Sequence, residues 1–271
     1  MIAYELTGLL AGTACYAAGA SLALYEVLAR RPRPRLLQAC LLTGAFLIGV
    51  AIAIRWGRVG HGPFLDMYEI LLSNLFSLGL LYGLAHWRFP GVRVAALPAM
   101  AVIAVLSTWA VGVPREAGVL PATYENSWLW VHVIAGKLFL GACLVATSLA
   151  VVGLFPARWR EPLLRIYQGA REGFQPRVWR WLAGAFVCLS LMLVAGAVWA
   201  QDAWGRYWNW DPLETWAFAT WVAMVAALHA RIAFRMPENV GYGLVAGVFV
   251  LAFLTFFGVP YVSTAPHQGA V

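Results

Sequence analysis

Long apolar runs separated by short polar connections make up most of the chain. Each run approaches or exceeds the length of about 20 residues that an α-helix needs to cross about 30 Å of hydrocarbon. Because backbone polar groups in lipid must pair within the chain, these runs are predicted to be helices. The predicted spans lie at about residues 4–28, 36–56, 67–86, 94–113, 128–155, 181–200, 216–235 and 240–258.

This pattern predicts an all-α polytopic membrane protein with about eight transmembrane helices, folded as one integral membrane domain over residues 1–271. The composition agrees, since 62% of the residues are hydrophobic and 11% are charged, against about 25% charged in soluble domains. The first apolar run, from about residue 4 to 29, is longer than the apolar part of a signal peptide, about 7–15 residues. It is therefore expected to be the first span.

The basic residues indicate how the chain is oriented in the lipid bilayer. The first, third, fifth and seventh connections hold 14 of the 19 basic residues, and the positive-inside rule places such connections in the cytoplasm. Both termini are then expected on the outer, periplasmic side, together with a loop over residues 201–215. Residues 156–180 become the largest cytoplasmic loop, a basic anchor against anionic lipid. A net charge of +7 confined to such short connections does not indicate a nucleic-acid partner.

The cysteines exclude two functions for this chain. Each lies inside a predicted span, and none belongs to a CxxC pair or to a CxxCH haem-attachment motif. A thiol relay and covalent attachment of haem to this chain are therefore not expected. Single buried cysteines usually serve as small apolar side chains.

The stretch WGRYWNWDPLETW, residues 204–216 and here called the Trp-rich segment, is unusual for so apolar a chain. Six of the fourteen tryptophans lie between Trp199 and Trp221. An aromatic belt at headgroup depth explains scattered tryptophans better than this density, which favours a platform for a flat ligand. Asp211 is predicted to cap a helix that begins at Pro212, with Glu214 completing a capping-box pattern. Asp211 and Glu214 are expected to shape the loop.

The histidines suggest what the platform holds. A single histidine is more often structural than a ligand, but His132 and His267 are predicted on the same side as the Trp-rich segment. Two facing imidazoles suit six-coordinate haem iron, and Arg206 can pair with a propionate carboxylate. His229 lies on the seventh predicted span, about 20 Å below Trp216 at about 1.5 Å per residue. The remaining histidines, at positions 61 and 86, are expected to be structural or interfacial.

The Trp-rich segment resembles the WWD signature of the haem-handling proteins of cytochrome c maturation. Its form, WGxYWxWDPxETW, resembles the CcsA (ResC) branch. Further segments resemble the same family: RWGRVGHGPFLDMYEIL, SWLWVHV with His132, ETWAFATWVAMVAALHAR with His229, and FLTFFGVPYVSTAPHQGA with His267. The chain departs from the family pattern at Asp66, where asparagine is usual, and in the residues around His267. The resemblance spans most of residues 55–269.

The resemblance implies a subunit of a system II cytochrome c synthase in the bacterial plasma membrane, working with a CcsB (ResB) partner. Haem b would be held outside by His132 and His267 as axial ligands, while His229 binds haem in transit. The vinyl groups are presented to the thiols of a CxxCH motif in apocytochrome c, which thiol-reducing membrane or periplasmic proteins keep reduced. The expected haem platform consists of Trp204, Tyr207, Trp208, Trp210 and Trp216.

Two other functions remain open from the sequence. One is a haem or porphyrin exporter or regulatory protein of the same superfamily, without ligation activity. The other is a transporter of an unrelated amphipathic solute, in which the tryptophans form only a belt. Thiol addition to a vinyl group needs orientation more than acid–base groups. No Ser-His-Asp or Cys-His arrangement is evident, and no catalytic residue beyond haem presentation is expected.

Overall fold

The computed structural model describes residues 1–167 and 173–262, with side chains described as far as residue 260. Within these ranges the chain consists of helices and short connections, without a strand. The α-helices are α1 (Ile2–Ala29), α2 (Pro34–Val59), α3 (Met67–Arg88), α4 (Ala96–Gly112), α5 (Ser127–Leu154), α6 (Ala157–Ile166), α7 (Phe174–Trp204), α8 (Pro212–Ala233), α9 (Glu238–Phe253) and α10 (Val259–Val262).

Over the described ranges, eight helical segments are long and apolar enough to cross a membrane, which confirms the predicted fold class. Two of these segments combine different helix types. A 3₁₀ turn, Pro90–Ala95, leads into α4, and a π-helical turn, Leu254–Gly258, follows α9. π-Turns inside helices often mark functional sites.

The predicted loops are shorter than expected. Within 156–180, the described residues form α6, and α7 begins at Phe174 and not at residue 181. Helix α6 was missed because it is amphipathic, with Leu163 and Leu164 buried against the bundle. The other loop narrows from 201–215 to 205–211, since α7 continues to Trp204.

The spanning helices run up and down, so alternate connections share one end of the bundle. We call the end with the N-terminus and connections 60–66, 113–126 and 205–211 the upper end. At this end the indole nitrogen of Trp199 donates to the carbonyl oxygen of Thr123 at 3.1 Å. The opposite, lower end carries most of the arginines. That the upper end faces outward remains a prediction from charge.

Helix α5 is the central element of the bundle. It packs against α3, α4, α7 and α9, and its pairing with α7 is the most extensive helix–helix contact. Helix α8 is the least buried span and touches the bundle mainly through α7 and α9. The upper half of the α5–α7 seam is where the candidate site forms.

A buried guanidinium joins the first three helices at the upper end. Arg55 in α2 is 1% exposed and donates to Glu5 in α1 at 3.3 Å and to Glu69 in α3 at 2.8 Å. It also donates to Asp66 at 2.7 Å and to the carbonyl oxygen of Arg115 in the 113–126 connection. Asp66, where the family usually has asparagine, thus adds a carboxylate. A buried charge is tolerated only when paired in this way.

Two further histidines are buried in polar surroundings. The Nδ1 atom of His61 is 3.0 Å from the carbonyl oxygen of Gly62 and 3.7 Å from Glu69. At the lower end, the Nδ1 atom of His86 is 2.9 Å from the amide oxygen of Gln38. These contacts fit the structural role expected for both residues.

Removing the Arg55 guanidinium should destabilise the bundle strongly. We expect Arg55→Met to lower the free energy of unfolding by about 3–5 kcal/mol, because it leaves carboxylates buried without their partner. Arg58→Met is the matched control, since Glu5 is the one described salt-bridge partner of Arg58, which is partly exposed. Its loss should cost about 1 kcal/mol or less. Tryptophan fluorescence during unfolding in detergent measures both, and similar losses would contradict the assignment.

Candidate functional site

A cavity of about 220 Å³ opens between α3, α5, α7 and the 205–211 connection. Helix α5 contributes His132 and α7 contributes Trp199. The connection contributes Tyr207 and Trp208, and α8 contributes Glu214. The rest of the wall is largely apolar. The fold therefore brings one predicted iron ligand and part of the Trp-rich segment to the same cavity.

The imidazole of His132 is fixed by a backbone carbonyl of α7. Its Nδ1 atom lies 2.8 Å from the carbonyl oxygen of Met192. Because a carbonyl oxygen only accepts, Nδ1 carries the proton and Nε2 is the basic nitrogen. In this tautomer Nε2 carries the lone pair that can bind a metal, and a hydrogen bond from the other ring nitrogen to a carbonyl commonly orients histidine ligands. The ring lies 6.2 Å from that of Trp199.

His132 can approach α7 so closely because residue 196 is glycine. A Cβ atom at Gly196 would lie 2.6 Å from Nδ1 of His132, a separation that real side chains do not tolerate. Small residues at helix crossings commonly permit such close packing in membranes. Gly196 thus allows the imidazole to lie where its Nδ1 proton meets the Met192 carbonyl.

One wall of the cavity is a cluster of aromatic rings. The Trp199 ring lies 5.2 Å from Tyr124 and 4.9 Å from Trp204, and Tyr124 lies 6.3 Å from Phe64. Burial raises the pKa of Tyr124, so its hydroxyl stays neutral. Trp204 packs behind Trp199 and supports this wall without lining the cavity.

The opposite wall comes from the Trp-rich segment. The Trp208 ring meets Trp210 at 5.8 Å and Phe218 at 6.2 Å, edge to face in both cases. Trp210 has a φ of 60°, a left-handed conformation that costs a bulky residue on the order of 1–3 kcal/mol. Its ring is 67% exposed and that of Tyr207 is 61% exposed. The backbone of this segment is therefore strained, and its aromatic rings lie exposed at the surface.

Asp211 and Glu214 hold the shape of this segment. The backbone N–H of Glu214 donates to the Asp211 carboxylate at 2.9 Å, so Asp211 caps α8 as the sequence predicted. The Glu214 carboxylate accepts from the backbone N–H of Asn209 at 2.7 Å. It therefore reaches two residues further back than a standard capping box does. Glu214 also lines the cavity.

Several predicted site residues lie elsewhere. As far as the chain is described, Arg206, Trp210 and Trp216 do not line the cavity. Arg206 and Trp216 are exposed on the segment, and His229 is on the outward face of α8. The second predicted iron ligand, His267, lies outside the described residues. Of the five rings expected to form the platform, Tyr207 and Trp208 line the cavity.

Comparison with known proteins identifies the family. Residues 64–267, which include His132, the Trp-rich segment and His267, match the family described as cytochrome c assembly protein. The chain belongs to this family. It acts in cytochrome c assembly, and haem is the cofactor that this process involves.

Curated relatives agree with the resemblance to CcsA. Cytochrome c biogenesis protein CcsA of Synechococcus sp. (strain CC9902) is 28% identical, with 87% of each chain covered. The CcsA protein of Solanum tuberosum is 26% identical, with 82% of each chain covered. A solved structure, cytochrome c heme lyase CcmF, matches 93% of this chain with a TM-score of 0.71 at 18% identity. Because the identity is only 18% and the match covers 46% of the CcmF chain, it supports the fold alone.

Sequence reasoning missed several residues that build the cavity. Gly196 and Met192 are inconspicuous in an apolar run, and only packing shows that they seat His132. Lys137 lines the cavity together with Asn74, but the sequence pattern assigns it to no site. A usable signal existed for Lys137, because it is the single lysine of the chain and falls inside a predicted span.

The seat of His132 can be tested with a one-methyl change. Gly196→Ala should displace the imidazole, whereas the same change in a helix interior otherwise stabilises by about 1 kcal/mol. Gly184→Ala is the matched control. Gly184 lies on the same helix as Gly196, and nothing lies within 4 Å of where its Cβ atom would be. At equal membrane abundance, we expect G196A to lower the yield of holocytochrome c several-fold and G184A to leave it unchanged. Equal yields would contradict the role of Gly196.

Proposed function

We propose that this chain binds haem b between His132 and the Trp-rich segment and presents it for covalent attachment to apocytochrome c. The observation that supports this is that the His132 imidazole and aromatic walls meet in one cavity. The Met192 carbonyl holds this ring through Nδ1, which leaves Nε2 as the basic nitrogen. This donor set fits a porphyrin, which needs an axial nitrogen and apolar faces. At about 220 Å³ the cavity is smaller than pockets that enclose small molecules, about 300–1,000 Å³. A porphyrin would remain accessible at one edge.

His267 is the proposed second axial ligand. Pro260, at the end of the described side chains, lines the cavity. His267 is five residues beyond the end of α10 at Val262, and such a length of chain spans at most about 17–18 Å. The C-terminal tail is therefore long enough to bring an imidazole back to the cavity from the opposite side.

The residues of this chain act by orientation and exclusion of water. When bound, haem supplies the vinyl groups to which the two thiols of a CxxCH motif add. The protein holds the macrocycle through imidazole and aromatic contacts, so that the reacting groups meet in a defined geometry. The exposed rings of Tyr207 and Trp210 provide a surface on which the client peptide can lie. No acid or base on this chain is needed for the addition.

A CcsB-like partner is proposed at the outward face of α8. That face carries side chains that recur at helical spacing and are exposed on the outside of the bundle, namely Val222, Val225, His229 and Ile232. A histidine within a membrane span is costly and usually functional. We assign His229 to haem in transit, shared with the partner in the bacterial plasma membrane. The CxxCH thiols would be kept reduced by separate membrane or periplasmic proteins.

Haem ligation predicts a specific absorbance spectrum. Protein purified from haem-producing cells should show the low-spin spectrum of bis-histidine haem. His132→Ala and His267→Ala should each weaken haem retention and change that spectrum, since each removes an axial nitrogen. His86→Gln is the control, because His86 lies at the lower end. Unchanged haem content and spectrum in both alanine variants would show the ligand assignment to be wrong.

The transit role predicts a defect in delivery. We expect His229→Ala to lower holocytochrome c yield several-fold when the partner is co-expressed, and added imidazole to restore part of it by replacing the lost ligand. Val225→Ala, on the same face of α8, controls for loss of packing. Normal cytochrome c maturation without His229 would remove this role and leave the His132 site unaffected.

A further inference from the structure

Lys137 lies inside the membrane-spanning part of α5, below His132. It follows His132 by five residues, or about 7.5 Å along the helix axis, and it lines the same cavity. Its ammonium donates to the hydroxyl of Ser73 in α3 at 2.8 Å. Ionisable groups at this depth are costly and tend to mark ligand sites.

The deep end of the cavity has unused hydrogen-bonding capacity. An ammonium has three donors, and Ser73 accepts one. Over the residues that the structure describes, no salt bridge joins Lys137 to a carboxylate. Asn74 is fully buried, and its amide nitrogen donates to the carbonyl oxygen of Ile70 at 2.9 Å. Among the described residues its Oδ1 atom has no hydrogen-bond partner, although Asn74 lines the cavity.

We propose that Lys137, supported by Ser73 and Asn74, binds a propionate carboxylate of the porphyrin at the deep end of the cavity. This inference rests on the proposed function. A carboxylate gives the ammonium an acceptor for a charge-assisted hydrogen bond. A second N–H of the same ammonium gives Asn74 Oδ1 its missing donor. The cost of unpaired polar groups in an apolar wall is thereby removed.

The anchor determines which way the ligand points. The two propionates of haem b lie on one half of the macrocycle and the two vinyl groups on the other. Propionates held at Lys137 direct the vinyl half toward Tyr207, Trp208 and the mouth of the cavity, where a client peptide arrives. Arg206, the propionate partner predicted from the sequence, is exposed outside the cavity. Propionates bound at Arg206 would direct the vinyl groups inward.

Esterification of the propionates tests the anchor directly. Haem and its dimethyl ester would be titrated into purified protein in nanodiscs, with binding followed by absorbance. Wild-type protein should bind haem about tenfold or more tightly than the ester, as expected for one charge-assisted bond. Lys137→Met keeps an unbranched side chain one atom shorter, removes the ammonium and should lose this preference. Arg206→Met, the matched control, should keep it.

A second variant protects the test against simple misfolding. Ser73→Ala leaves the ammonium in place but removes its only described acceptor, so it should reduce the preference in part. A preference that survives in K137M, or one that disappears in R206M, would overturn the anchor while haem binding at His132 stands. Wild-type protein that binds neither haem nor ester would instead overturn the proposed function together with the anchor.

Discussion

Polar groups inside hydrocarbon must find partners within the protein, and this constraint organises the structure. At the upper end, the Arg55 guanidinium gathers carboxylates from α1 and α3 and so fixes the first three helices. At the α5–α7 seam, the proton on Nδ1 of His132 finds the Met192 carbonyl. Deeper still, the Lys137 ammonium donates to the Ser73 hydroxyl, its one described acceptor, and has further N–H donors. The cavity lies beside Lys137, whose donors are not all used by the residues that the structure describes.

The Trp-rich segment completes the site from outside the bundle. It is held at both ends, by the left-handed turn at Gly205 and by the Asp211 cap on α8. Between these fixed points the strained backbone at Trp210 displays rings that a soluble protein would bury. A flat apolar ligand gains contact area there without requiring the loop to reorganise, which is the advantage of a preorganised surface.

The eight spans were predictable because the length of an apolar run is set by bilayer thickness. Helix α6 was not, because its amphipathic pattern is short and lies within a basic stretch. The meeting of His132 with Tyr207 and Trp208 was foreseeable from their shared side of the membrane. Lys137 carried a usable signal, since it is the single lysine of the chain and lies inside a predicted span. The seat at Gly196 was not predictable, because helices that are apolar all round give no sign of which face meets which neighbour. Only packing decides that.

The central claim is that haem occupies the cavity between α5 and the Trp-rich segment. A structure of the haem-loaded protein with its partner subunit tests it most directly. The account predicts density for the macrocycle against Trp208, with the iron bonded to Nε2 of His132 and a propionate beside Lys137. A macrocycle bound only on the outward face of α8, with the cavity filled by side chains, would contradict it.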